Sequence, residues 1–266
     1  MIYLTNSFKS VYELVAGTEN KNLLILYTVL LFAASIISAY LLGSLNSAII
    51  VSKAKYHDDI RKHGSGNAGL TNMMRVYGKG GAGLTLLGDV LKQAVSVFIG
   101  FFLLDIHGAY ISGIFCMLGH IFPVYYHFKG GKGVLTAATM ILIIDPIIFA
   151  ILFLIFAIVL LITRYVSLSS IIAAFAYPAA VYYASKVRTG KPAEMFDMIF
   201  ALLVGIIVIY MHRQNIYRLF NNQESKFSFK KKPEAQKILD MEDHENDEDF
   251  EIPKKEKKSS KKKKSR

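Results

Sequence analysis

His120-Ile-Phe-Pro-Val-Tyr-Tyr-His-Phe-Lys-Gly-Gly-Lys-Gly-Val134 separates two apolar stretches and packs two lysines and three glycines into residues 129–133. A lysine at mid-bilayer costs roughly 3 kcal/mol and glycine weakens a helix, so the stretch belongs at a membrane surface rather than inside a span. There its backbone N–H groups, freed from helix pairing, can point at an anion while Lys129 and Lys132 supply charge. That is a phosphate cradle; the plainer reading is a basic loop obeying the positive-inside rule. It is not a nucleotide P-loop, because Gly133 follows Lys132 where Ser or Thr is needed and no strand precedes it.

Composition agrees with a surface loop between spans. The 266 residues are 53% hydrophobic and only 19% charged, with mean hydropathy +0.37, too apolar for a soluble domain. They predict an all-α fold, a polytopic integral membrane helical bundle. The net charge of +11 would suggest nucleic acid in a soluble chain. Here the basic residues fall between apolar spans and at the C-terminus, so topology explains them and no nucleic acid partner is expected. One cysteine, Cys116, gives neither a disulfide framework nor a thiolate metal site. With no His-Glu-x-x-His and no paired carboxylates suited to glycoside chemistry, neither a metal nor a cofactor is implied.

Apolar stretches run roughly over 23–43, 81–104, 108–126, 134–144, 147–163, 167–185 and 196–211, predicting about seven transmembrane helices. The fourth is short: about eleven residues at 1.5 Å each reach roughly 16 Å of a 30 Å core. It begins inside the glycine-rich stretch, or dips in and returns. Residues 1–22 read as an extracytoplasmic segment without a cleavable signal peptide. Phe8, Val11, Tyr12, Leu14 and Val15 have the spacing of a short interfacial helix.

With about seven crossings, the connections near 53–79, 127–133, 164 and beyond 212 share one side and carry most of the lysine and arginine. Lys186, Arg188 and Lys191 are the exception. The positive-inside rule then puts the N-terminus outside and the C-terminus in the cytoplasm. Every unusual polar stretch lands on the cytoplasmic side, which points to one shared site. A transporter would instead place polar breaks near the midplane in both halves of a repeat, and no internal repeat is visible.

Gly64-Ser65-Gly66-Asn67-Ala68-Gly69 mixes glycines with small hydrogen-bonding side chains, a composition that frees backbone donors. A helix starting near Gly69 puts Thr71 and Arg75 on one face, where Arg75 can grip an anion; a flexible loop with a helix cap is the alternative. Asp89 and Lys92, three apart in an apolar span, form a structural or a functional ion pair. His120 sits at the cytoplasmic end of its span. Arg164, Ser167, Ser169 and Ser170 join two spans, as topogenic and capping residues or as part of the site. His212, Asn215 and Arg218 recur at three-residue spacing on one helical stripe that can bind an anion or sit solvated.

These stretches together resemble the bacterial acyl-phosphate:glycerol-3-phosphate acyltransferase family. The matching residues are Gly43-Ser44, Asp59 to Arg75, Asp89-x-x-Lys92, Gly119 to Gly133, Arg164 to Ser170 and His212 to Arg218, within about 23–220. The resemblance implies a seven-helix membrane acyltransferase domain over 23–220 with a cytoplasmic active site in the bacterial plasma membrane. It implies transfer of a fatty acyl group from acyl phosphate to the 1-hydroxyl of glycerol 3-phosphate. The products are lysophosphatidic acid and phosphate, in the first acylation step of phospholipid synthesis, with no direct use of acyl-CoA or acyl carrier protein. Carried over by position, Ser65, Arg75, Lys132, Ser170, His212 and Asn215 are the catalytic candidates. Ser44, Gly66, Asn67, Gly69, Thr71, Asn72, His120, Lys129, Gly130, Gly131 and Gly133 are the substrate-binding ones. Asn46 stands where the family often has proline and Gln93 where it usually has glycine, which bears on helix geometry rather than chemistry.

Residues 221–266 read as a disordered cytoplasmic tail, with an acidic block at 242–251 and a lysine run at 254–266. The lysine run is a candidate for contact with anionic lipid, the acidic block folding back on it at low salt. A second functional reading is a membrane transporter of a phosphorylated small metabolite using the same cations. A third is a conducting or scaffolding membrane protein.

Overall fold

The computed structural model describes residues 10–18, 20–227 and Pro233, and among the described residues it is helical with no strand. The chain runs α1 (Val11–Ala16), α2 (Lys21–Ser44), α3 (Ser47–Tyr56), α4 (Leu70–Ile121), α5 (Val134–Ile144), α6 (Pro146–Thr163), α7 (Val166–Thr189), α8 (Met195–Met211) and α9 (Arg213–Phe220). Each apolar stretch expected from the sequence is helical. The acidic block and the lysine run lie outside the described residues, as do residues 1–9.

Helix α4 is not one rod. Its backbone leaves helical geometry at Gly78 and again at Leu104 and Asp105, where Asp105 adopts φ 55°. After the second break the chain doubles back: Gln93 Nε2 donates to the Gly113 carbonyl at 3.0 Å and Cys116 Sγ to the Lys92 carbonyl at 3.8 Å. The stretches expected at 81–104 and 108–126 are thus two arms of a helical hairpin. Helix α2 packs along it, Ser35 and Ser112 hydroxyls meeting at 2.6 Å. The second arm ends at Ile121 rather than 126, because Pro123 lacks an N–H and disfavours helical geometry at Phe122.

Helix α5 is the predicted short one, 11 residues, and its Thr136, Ala137, Met140, Ile141 and Ile144 are buried inside the bundle. Asp145 caps α6, accepting from Ile147 and Ile148 N–H, with Pro146 in the first turn. Only Ile148 and Leu152 of α6 are buried. Leu161 and Ile162 stay 80% and 77% exposed, as suits a face turned to lipid. The core joins α4, α5, α7 and α8 through Val97, Met117, Met140, Tyr177, Phe200 and Val204. Among the described residues four helical stretches are long and apolar enough to cross a bilayer, or five with α8 and α9 taken as one span bent by 56°. One of these, Leu70–Tyr126, contains both arms of the hairpin.

The chain direction sends the starts of α4, α5 and α7 and the end of α8 to one end of the bundle. At the opposite end the exceptional Arg188 is paired, its guanidinium 2.7 Å from Asp145.

Candidate active site

At the first end lies a cavity of about 720 Å³. Its mouth is polar and cationic. Its inner part is apolar, lined by residues such as Leu135, Leu142, Leu152, Phe156, Ala173 and Val204. All six catalytic candidates line it: Ser65, Arg75, Lys132, Ser170, His212 and Asn215. Of the substrate-binding candidates, Asn67, Gly69, Thr71, Asn72, His120 and Gly133 line it too, whereas Ser44, Gly66, Lys129, Gly130 and Gly131 do not.

The residues outside the lining have structural occupations. Ser44 Oγ donates to the Tyr40 carbonyl at 2.8 Å and accepts from Val124 N–H at 3.3 Å, tying α2 to the turn after α4. Lys129 is exposed. The Gly130 and Gly131 N–H groups, expected to be free for an anion, donate instead to the Ile121 and His120 carbonyls at 3.2 and 3.1 Å. The loop folds back on the end of α4 and satisfies its orphan carbonyls. Gly131 allows that approach, since a Cβ there would fall 2.0 Å from His120 Nε2. Arg61 clamps this loop to the preceding one: it pairs with Asp59 at 2.6 Å and donates to the Tyr126 carbonyl at 3.1 Å.

Asn72 is also a holder. Its amide accepts from Ser65 N–H at 2.9 Å and donates to the Ile60 and His63 carbonyls at 3.3 and 3.0 Å, fixing the glycine-rich loop. Asn46 and Gln93, the departures from the family pattern, sit fully buried. Asn46 caps α3 and donates to the Ala68 carbonyl at 3.3 Å, and Gln93 bridges the hairpin arms, so each stabilises the geometry around it.

Helices α4, α5 and α7 begin at the mouth without a capping side chain, after Gly69, Gly133 and Tyr165. Helices α2, α3 and α6 are capped by Asn20, Asn46 and Asp145, whereas α8 and α9 start uncapped after Glu194 and His212. Uncapped N-termini leave backbone donors and the positive helix-dipole ends facing the cavity, an arrangement that attracts anions. Arg75, Lys132 and Arg218 add full charges, and Arg75 has no carboxylate partner among the described residues.

Lys132 Nζ donates to Asn215 Oδ1. Burial, with Arg218 and Arg75 nearby, pulls the lysine pKa from its usual 10.5 to about 8, and Glu224 offsets part of the shift. His212, buried, has Nδ1 2.7 Å from the Val208 carbonyl. A carbonyl only accepts, so Nδ1 carries the proton and Nε2 is left with its lone pair. Ser170 Oγ donates to the Val166 carbonyl at 2.9 Å.

Glu224 lies just beyond the cationic stripe of α9, and it too lines the cavity. Its carboxylate accepts from Ser167 Oγ and Asn215 Nδ2, both at 2.7 Å, and from Arg218 Nε at 2.8 Å. Burial alone would raise its pKa; these donors outweigh that and hold it below the ordinary glutamate value. Phe227 N–H donates to the Arg164 carbonyl at 2.7 Å, so 223–227 crosses back over the α6–α7 corner. The available signal for Glu224 was a lone carboxylate soon after a cationic stripe.

The family model for glycerol-3-phosphate acyltransferase matches residues 33–222. A glycerol-3-phosphate acyltransferase of Finegoldia magna is 38% identical over 190 residues, 71% of this chain and 93% of the relative. One from Bacillus cytotoxicus is 44% identical over 198 residues, 74% and 96% of the two chains. The crystal structure of PlsY (YgiH), an integral membrane glycerol 3-phosphate acyltransferase, in its glycerol 3-phosphate form superposes with a TM-score of 0.67 at 33% identity. That match covers 78% of this chain and 98% of that one. The lysophosphatidic acid form of the same enzyme gives 0.64. With a family model matched over residues 33–222 and relatives 38% and 44% identical over most of both chains, the chain belongs to the glycerol-3-phosphate acyltransferase family.

Proposed function

We infer that this protein transfers a fatty acyl group from acyl phosphate to the 1-hydroxyl of glycerol 3-phosphate, giving lysophosphatidic acid and phosphate. The observation that carries this is one cavity joining a cationic mouth to an apolar interior. Both substrates bring a phosphate for the mouth, and one brings a chain for the interior. The transporter alternative draws no support from the relatives described above.

Acyl phosphate is already activated, so no acyl-enzyme is required. The glycerol hydroxyl oxygen attacks the acyl carbonyl carbon and forms the ester bond as the carbon–oxygen bond to phosphate breaks. The hydroxyl proton passes to an oxygen of the departing phosphate. Arg75, Lys132 and the backbone donors at the three helix starts balance the negative charge on the leaving group. Ser65 and the second Nδ2 proton of Asn215 supply further hydrogen bonds at the mouth, and Ser170 does so once its hydroxyl turns from the Val166 carbonyl. A second reading is favoured by the Val208 contact: with Nδ1 protonated, His212 Nε2 can take the hydroxyl proton as general base. A pH–rate profile of His212→Ala separates the two, since direct transfer to phosphate predicts that most activity survives.

The chain is proposed to cross the bacterial plasma membrane seven times, counting both hairpin arms and α5, with the cavity mouth on the cytoplasmic side and the N-terminus outside. The interior would take the acyl chain from surrounding membrane lipid. The lysine run is proposed to touch anionic headgroups; binding of the tail to liposomes regardless of anionic lipid content would remove that idea. The decisive assay gives purified protein acyl phosphate and glycerol 3-phosphate. Lysophosphatidic acid and phosphate should appear in equal amounts, and phosphate without acylated product would overturn the reading.

A further inference from the structure

Three ionisable side chains lie buried behind the mouth: Asp89, Lys92 and His120, exposed by 1%, 7% and 4%. Lys92 Nζ donates to the Gly43 carbonyl at 3.1 Å and the Leu45 carbonyl at 2.9 Å, and lies 3.1 Å from His120 Nδ1. Asp89 Oδ1 is 2.8 Å from the same ammonium, a buried ion pair, and 3.5 Å from His120 Nδ1. Two of the three ammonium protons go to the carbonyls, and the third side of the ammonium faces the Asp89 carboxylate and the His120 ring together, so the ring is held against the pair.

Nε2 faces the glycine loop, at the place where a Cβ on Gly131 would lie 2.0 Å away. The His120 carbonyl holds the Gly131 N–H at 3.1 Å. Both contacts act one residue before Lys132, and His120 itself lines the cavity. A buried charged group is costly unless it is paired, and this pair sits in the hairpin rather than at the rim.

We propose that Lys92, balanced by Asp89, is a positioning residue: it fixes the ring of His120, and through His120 sets the glycine loop that aims Lys132 at a substrate phosphate. The inference rests on the acyl-transfer reading above. It gives the buried pair a function that the six cavity-lining candidates do not need for chemistry but do need for geometry.

The test is a KM and kcat measurement for both substrates on Lys92→Met and on the double variant Asp89→Asn/Lys92→Met, which removes both charges. A positioning role predicts that KM for at least one phosphate substrate rises about tenfold and that kcat falls with it, because the lysine the loop aims binds the phosphate and also balances the leaving group. Parental KM values in a folded variant would overturn the proposal, as would a fall in kcat alone. If Lys92→Met fails to reach the membrane, the double variant decides by the same criteria. Loss of both would make the pair a folding requirement and overturn it too. A parent enzyme that makes no lysophosphatidic acid would instead sink the acyl-transfer reading.

Discussion

Lys132 and Asn215, separated by 83 positions in the chain, are joined by a hydrogen bond from the ammonium to the amide oxygen. The other end of the amide donates to Glu224. Asn215 thus stands between a cation and an anion with its orientation fixed by both. Asn215→Ala removes one bond to each charged neighbour, and the loss of the one that orients Lys132, about 1.5–3 kcal/mol, should lower kcat/KM by about tenfold to a hundredfold. Asn215→Asp should be worse, since it sets a second carboxylate against Glu224 and neutralises Lys132. Steady-state kinetics on equal amounts of membrane-inserted protein compare them; an aspartate variant better than the alanine one would contradict the arrangement.

The lysine also sets a pH dependence. Its pKa of about 8 in the free enzyme means that the cation is lost as pH rises, so kcat/KM should decline above about pH 8. Bound phosphate favours the charged form, so the limb in kcat should lie at higher pH. Lys132→Arg, always charged, should remove the limb even if the rate is lower. The linkage sign is opposite to the usual ion pair: between about 8 and the unfolded value of 10.5 the unfolded chain binds more protons. The substrate-free fold should therefore gain stability across that window, as thermal midpoints in detergent would report.

A methyl group at Gly131 meets the His120 ring at 2.0 Å and the Ala68 carbonyl at 2.9 Å, in a loop with no slack. Gly131→Ala should displace Lys132 and cost about a hundredfold in kcat/KM, the scale expected for a misplacement of about 1 Å. Gly83→Ala is the control. Nothing lies within 4 Å of its Cβ, and it should leave activity unchanged.

Ending the chain after Pro233 keeps the segment that crosses the α6–α7 corner, whereas ending it after Gln223 removes Glu224. The shorter protein leaves Arg218 and Asn215 without their shared acceptor and should lose at least about tenfold in activity, while the longer one keeps it. Lysophosphatidic acid formation in membranes of matched protein content checks the pair. Equal activity would return Glu224 to the tail.

Orientation can be read by cysteine labelling, because native Cys116 is buried and should not react. Cysteines at exposed Lys129 and Arg213 should label from the cytoplasmic side and one at Lys191 from the other. Lys129 and Arg213 labelling from opposite faces would break the single-site reading.

The sequence by itself determined the helical segments, because apolar runs of spanning length separated by glycine, proline and charge leave the backbone few alternatives in lipid. Helix α5 carries the predicted bounds; residue type and position marked the polar stretches at the ends of apolar runs, and the family resemblance singled out six catalytic candidates within them. Only the tertiary structure decided which of those groups remain available. The Gly130 and Gly131 N–H groups are taken by the end of α4, Asn72 is occupied within its own loop, and Glu224 crosses back to hold Asn215 and Arg218. The reason is that a run of sequence shows which donors a residue owns and where the chain breaks, while the partners that satisfy those donors depend on which distant segments the reversals at Asp105, Pro123 and Asn221–Phe227 bring together.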